Sequence, residues 1–201
     1  SENGSTEVLD VEKIVSTIPI RYLIPLFSPS PNSDILQSAS RLKYLPLTVC
    51  GLLVKRNPVR EAILTYYRDA VYNRLSEPTY HGLQTSPENR SILLAEMTDY
   101  TLQEQNLTSN EDIVRKVIED LVKENLITQE EVEDSCVFRY KEAYPIYHIG
   151  FQKDLARIRE YLDHLGNVHS TGRQGAFCYV NTHATMQMAI SSVREMERRR
   201  N

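Results

Sequence analysis

The residues best suited to chemistry lie near the C-terminus, in Gly172-Arg173-Gln174-Gly175-Ala176-Phe177-Cys178-Tyr179-Val180-Asn181-Thr182-His183. Two glycines three apart let a backbone come close to another group. The stretch follows a short apolar segment and opens a final helix. The first N–H groups of that helix lack intrahelical partners and stand at the positive end of its dipole. Such a turn suits a phosphate or the polar part of a cofactor. Arg173 adds a permanently charged guanidinium that can pair with phosphate oxygens. Spacing alone leaves a second reading open, a helix-entry turn that holds no ligand.

Two further places draw attention. Arg74, in Asn73-Arg74-Leu75-Ser76-Glu77, stands among aliphatic and tyrosine neighbours. A charge there is costly to bury alone, so it requires a partner, and Glu77 and Glu96 are the candidates. Tyr144 and Tyr147 flank the proline of Ala143-Tyr144-Pro145-Ile146-Tyr147, which reads as a strand end with half-buried tyrosines. The histidines (His81, His148, His164, His169 and His183) include no helical i, i+4 pair, and Cys50, Cys136 and Cys178 form no Cys-x-x-Cys. No metal site is expected from these spacings. A Gly-x-Ser-x-Gly nucleophile elbow is also missing.

The Gly172 stretch resembles the C-terminal flavin-binding motif of the FAD-dependent amine oxidase and UDP-galactopyranose mutase superfamily. There the pattern runs roughly Gly-Arg-x-Gly-aromatic-Arg-Tyr and leads into a helix beneath the flavin. Ala143 to Tyr147 is similar to a segment these proteins carry about thirty residues earlier, and the likeness runs from about Val11 to the end. The resemblance implies an FAD cofactor held by Gly172, Arg173, Gly175, Tyr179 and Asn181. It implies an active-site cavity with Arg74, Tyr144 and Tyr147. In mutases the arginine resembling Arg74 contacts the diphosphate of the sugar nucleotide.

Departures from the pattern sharpen the expectation. Cys178 replaces the arginine of the Arg-Tyr pair. Tyr147 stands where mutases carry arginine. Asn181 stands where mutases carry aspartate and many oxidoreductase relatives asparagine. These favour an oxidoreductase of amine-oxidase type over a mutase-like sugar isomerase. No Gly-x-Gly-x-x-Gly occurs in the chain, and that turn normally holds the pyrophosphate of the dinucleotide. The expectation is therefore the C-terminal portion of a longer flavoprotein, inactive alone, whose partners are a missing N-terminal FAD-binding half and a small substrate, an amine or a nucleotide sugar. The reading from another class is a non-catalytic binding or assembly module derived from a flavoprotein.

Composition sets the outer bounds. The chain has 201 residues, 41% hydrophobic and 25% charged, with net charge −4. That suits one domain or one and a half, and gives no general attraction to nucleic acid. No apolar run is long enough to span a membrane. Three widely spaced cysteines suggest a reducing compartment, so cytoplasmic localisation is expected.

The elements that must position these residues follow from periodicity. Strands are expected at Lys13–Pro19, Leu47–Val54, Ala62–Tyr67, Ala70–Leu75, Ile92–Met97, Val132–Tyr140 and Asn167–Thr171. A helical turn is expected over Tyr22–Phe27, and helices over Asp34–Leu42 (capped by Ser33), Glu111–Asn125, Phe151–Leu165 and Thr182–Arg198. The stripe Ile113, Val117, Ile118, Leu121 and Val122 should face inward. The acidic group Glu130, Glu131, Glu133 and Asp134 reads as a solvated turn. The fold class is α/β with α+β character. A mostly antiparallel substrate-type sheet with flanking helices would span residues 22–143. Remnant FAD-domain strands and the C-terminal helix would span 11–20 and 147–201. Residues 1–10 are expected to be disordered. The last helix carries Met186, Ala189, Ile190, Val193 and Met196 on one face, and such a stripe must be covered. A homodimer is one way to cover it.

Overall fold

The computed structural model describes residues 7–198. Most of the stretch expected to be disordered, Ser1–Thr6, and the closing Arg199 and Arg200 lie outside the described residues. The chain divides into two units. The first joins Ser1–Tyr44 to Pro145–Asn201, and the second is the continuous stretch Leu45–Tyr144. Tyr22–Tyr44, grouped by sequence with the substrate-type part, belongs to the first unit.

In the first unit, β1 (Ile14–Ser16) runs parallel to a later strand, Val168–Ser170. The helical turn α1 (Ile20–Leu23) and a 3₁₀ turn follow, then α2 (Ser33–Arg41). The cap of α2 is Asn32, whose side chain accepts from Ile35 N at 3.0 Å. Ser33 is instead the first helical residue, because the Asn32 backbone already has the extended conformation a cap requires.

The second unit is built on a five-stranded sheet. Its strands are β2 (Tyr44–Val54), β3 (Leu64–Tyr66), β4 (Arg74–Ser76), β5 (Ser91–Thr98) and β6 (Val132–Pro145), in the spatial order β3-β4-β5-β2-β6. β3–β4, β4–β5 and β2–β5 are antiparallel. β6 also runs opposite to β2, since Lys55 N donates to Glu131 O at one end and Ile146 N to Lys43 O at the other. Ala70–Asn73 is not strand; Val71 and Tyr72 are buried there as loop residues. Their apolarity reflects burial rather than strand pairing, a distinction that a short apolar run cannot make.

Two helices lie between β5 and β6. The short α3 (Asp99–Glu104), capped by Thr98, was not expected from the sequence. The longer α4 (Asn110–Lys123) is capped by Ser109, whose hydroxyl accepts from Asp112 N at 3.0 Å. Ile113, Val117, Ile118 and Leu121 of α4 cluster with Cys50, Leu52, Leu75, Leu93, Ala95 and Met97 of the sheet. Val122 points away and is 40% exposed. Asp120 takes the inward place instead, accepting from Val71 N at 2.7 Å and Lys116 Nζ at 2.6 Å. The acidic group after α4 is also engaged: Glu131 closes a capping box with Thr128, and Glu133 pairs with Arg90.

The remaining elements return to the first unit: α5 (Phe151–Leu165), β7 (Val168–Ser170), the single turn α6 (Gly172–Gly175) and α7 (Thr182–Arg198). Leu155, Ile158 and Leu162 of α5 pack with Ile20, Leu23, Ile24, Ala39 and Leu42. A half-buried ion pair ties α5 to α2: Arg41 Nε donates to Asp154 Oδ2 at 2.9 Å, and a second guanidinium nitrogen reaches Oδ1. The hydrogen bond from Arg41 holds the Asp154 carboxyl below the usual carboxylate range, against the opposing effect of burial. A depressed folded-state pKa gives stability that is present above the unfolded carboxylate value, about 4, and is lost as pH falls through the folded value. Asp154→Asn should therefore flatten the acid limb of the first unit's stability, followed by urea unfolding between about pH 5 and pH 2. An unchanged acid limb would place the acid sensitivity elsewhere.

Candidate functional site

The Gly172 turn is built by the parallel pair β1–β7. Ile14 pairs with Val168 and Ser16 with Ser170, and Thr171 N donates to Ser16 O at 2.9 Å. The chain must then reverse, and Gly172 does this with φ +78°, a region where a side chain strains the backbone. Gly175 has a different reason. A Cβ there would stand 3.0 Å from Ser16 O and 3.0 Å from Ser170 Oγ. The second glycine therefore lets α6 sit on its own strands, and its close approach is internal rather than to a ligand. The stretch also does not run straight into the final helix. Gly172–Gly175 is a separate turn, and residues 176–181 intervene before α7.

Those residues form a pinned loop. Phe177 is buried with φ +50°, unusual for an aromatic residue. Its ring packs edge-on to Tyr44 at 5.1 Å and lies 6.0 Å from Phe151 and 6.1 Å from Tyr147. Tyr147 stacks on Phe151 at 4.6 Å, and its hydroxyl accepts from Tyr179 N at 2.7 Å. Tyr44 OH donates to Gln174 O at 2.9 Å. A left-handed aromatic residue costs about 1–2 kcal/mol, and burial of one aromatic side chain offsets it at roughly 2–3 kcal/mol. Tyr44, Phe151 and Phe177 are positioning residues that motif spacing did not reveal. The available signal was the aromatic run itself, Tyr147, Phe151 and Phe177, whose partners meet only in the fold.

Arg173 lies over the Tyr179 ring, guanidinium carbon to centroid 4.4 Å, and donates to Val180 O at 3.2 Å. Asn181 immediately precedes α7, and its carbonyl accepts from Thr185 N at 3.0 Å, as a cap residue's does. A groove of about 620 Å³ opens here, lined by Arg173, Val180, Asn181, Thr182, Thr185 and Met186. The structure thus brings Gly172, Arg173, Gly175, Tyr179, Asn181 and Tyr147 together in the first unit.

Arg74 and Tyr144 belong to the second unit. Arg74 faces Glu96 across the β4–β5 register and binds it with both arms, Nε to Oε1 at 2.9 Å and a terminal nitrogen to Oε2 at 2.5 Å. This hydrogen-bonded carboxylate raises the arginine's pKa, and Tyr66 and Tyr144 contribute in the same direction. Glu77, the other candidate partner, is fully buried and serves elsewhere. It accepts from Val59 N at 2.7 Å, Arg60 N at 3.1 Å and Ser91 Oγ at 2.7 Å. Among the described residues no three His, Cys, Asp or Glu side chains gather as metal ligands, and no helix is long and apolar enough to cross a membrane.

Comparison with known proteins places this geometry. A UDP-galactopyranose mutase in its reduced form superposes with TM-score 0.70 at 20% identity, over 86% of this chain and 38% of that one. A putrescine oxidase variant superposes with TM-score 0.67 at 13% identity, over 93% of this chain and 43% of that one. At these identities the likeness is one of fold, and the chain spans about two fifths of each structure's length. No curated protein matches the sequence. The flavin-containing amine oxidoreductase family does match, across residues 1–195. With nearly the whole chain covered, and with the glycine turn, the parallel pair and the antiparallel sheet already described, the protein belongs to the flavin-containing amine oxidoreductases.

Proposed function

We propose that this chain supplies the substrate-type sheet and the C-terminal cofactor-contacting elements of an FAD-dependent oxidoreductase of amine-oxidase type. The observation that carries the reading is the groove at the start of α7, where Arg173, Asn181, Thr182 and Thr185 line one open wall. Its polar members are a guanidinium, an amide and hydroxyls at the start of a long helix, beside an apolar stretch of Val180, Met186 and Ala189, a lining that fits a ligand with both polar and apolar parts, as FAD has. In this reading Arg173 balances anionic charge, Asn181 and the α7 amides orient the polar chain, and Tyr179 and Tyr147 hold the loop in register. Gly172 and Gly175 shape the turn. Bound FAD supplies a two-electron acceptor, which no side chain of this protein can provide.

The first unit also offers a place for a dinucleotide-binding half. Among the described residues β1 and β7 pair only with each other. Parallel strands are ordinarily buried within larger sheets covered by helices. None of the described residues of α7 is buried, and Met186, Ile190 and Val193 are 63%, 47% and 50% exposed. A further parallel strand beside β1 or β7, with its sheet beneath α7, would complete both features.

Arg74 and Tyr144 of the second unit, and Tyr147 of the first, are each proposed as active-site residues. The two-armed pairing of Arg74 with Glu96 weighs towards the oxidase over the mutase-like reading, because a neutralised guanidinium is a poor seat for a diphosphate. Titration with FAD, read by quenching of its fluorescence, tests the proposal. Saturable binding by the chain is expected, by itself or co-expressed with the dinucleotide-binding half of a relative, weakened at least about tenfold by Arg173→Ala. Failure to bind FAD in both settings would overturn it.

A further inference from the structure

Among the described residues strand β6 is the longest, and it lies at the edge of its sheet with β2 as its one neighbour. Its middle is open: Glu133–Cys136 and Phe138–Tyr140 are all exposed, with Phe138 and Tyr140 at 53% and 55%. A long exposed edge is a template for pairing with another strand, and proteins commonly blunt such edges with charge or proline. No proline interrupts β6 before Pro145. Its charges are sorted rather than scattered. Glu133 and Asp134 stand before Cys136 and Arg139 and Lys141 after it, with Glu142 following towards the end of the strand.

That sorting selects a partner. In an antiparallel ladder every second residue turns its N–H and C=O to the same side. Two copies of one edge, related by a two-fold axis, therefore set residues of equal parity opposite each other and one residue opposite itself. With Cys136 at the centre, Glu133 faces the partner's Arg139, and symmetry repeats the pair. Parallel pairing in register would instead set Glu133 beside the partner's Glu133. Opposite charges directly across a ladder stabilise it and like charges oppose it. Glu133 already meets Arg90, and Arg139 meets Asn110 Oδ1. A carboxylate and a guanidinium each keep sites for a further bond. On the outer face Gly51 leaves room for Cys136, whose Sγ lies 3.0 Å from where a Cβ would stand.

We propose that two copies of this chain pair antiparallel through the free edges of β6, with Cys136 opposite its counterpart and Glu133 opposite the partner's Arg139, joining two five-stranded sheets into one. The test is sedimentation of the full chain over a concentration series. A reversible dimer is expected. Arg139→Glu sets a carboxylate opposite Glu133 and should weaken the dimer at least about tenfold; Glu133→Lys sets an ammonium opposite Arg139 with the same effect. An equimolar mixture of the two variants should regain the dimer, which also shows that both are folded. A short bis-maleimide should link the dimer through Cys136 in a Cys178→Ser background, and Cys136→Ser should abolish the link. A monomer at all concentrations would overturn the proposal. So would a dimer indifferent to both charge reversals, which would point to the exposed stripe of α7 instead.

Discussion

Glu77→Ala should destabilise the second unit by about 4 kcal/mol, the largest single-residue loss expected here. The carboxylate is fully buried, with Arg60 Nε 4.0 Å away. Its removal leaves two backbone N–H groups and the Ser91 hydroxyl without their acceptor. Each buried donor left unmet costs about 1–3 kcal/mol. Against the 5–15 kcal/mol that holds an ordinary domain together, this is a large share. Hydrogen exchange is the suitable readout, because the two units need not unfold together. Amides of β2 and β5 should exchange about a thousandfold faster, and Glu77→Gln should fall between. Unchanged protection would mean that the cost of burying the carboxylate already cancels its hydrogen bonds.

Gly175→Ala should cost about 2 kcal/mol in the first unit, because the added carbon meets a backbone oxygen that cannot turn aside. Ser16 O is fixed by the β1–β7 ladder, and Ser170 Oγ is held by its own bond to Gly175 O at 2.8 Å. Gly172 offers the contrast. A Cβ there meets only methyl groups, at 3.9 and 4.0 Å, so the penalty comes from φ alone. Gly172→Asn, which tolerates the left-handed region, should cost less than Gly172→Ala, while Gly175→Asn should be worse than Gly175→Ala. Thermal unfolding of the four variants checks the pattern. FAD titration of Gly175→Ala then reports whether the seat of α6 carries through to the groove at α7. Equal losses at the two positions would show that the glycines are interchangeable and that the packing described for Gly175 is not decisive.

How much could be read beforehand follows the range of each force. Phe151–Leu165 and the start of the last helix at Thr182 were legible, because 3.6-residue periodicity is local. β6 was found but ends at Pro145 rather than Tyr140, since its length is set by pairing with β2 and not by its own composition. Val122 and Asp120 exchanged places, because hydrophobicity predicts burial only until a buried N–H, here that of Val71, needs an acceptor. The site divides in the same way. Gly172 and Arg173 announce themselves by type and spacing. The aromatic clamp of Tyr44, Tyr147, Phe151 and Phe177 is assembled from distant parts of the first unit, and along the chain only the aromatic residues themselves, not their spacing, point to it. Arg74 needed a partner on physical grounds, but the choice of Glu96 over Glu77 was decided by strand register.

The division of the chain has a consequence for how such proteins diversify. The second unit is one uninterrupted passage, Leu45–Tyr144, and the residues flanking it are neighbours: Ile146 N donates to Lys43 O at 2.8 Å. The first unit is therefore closed around two adjacent strands of connecting peptide. A gene could exchange the whole intervening passage at two junctions only, leaving β1, β7 and the Gly172 turn untouched. Such an exchange would replace Arg74 and Tyr144 together while the turn stayed as it is, as with a tool bit changed in a fixed handle.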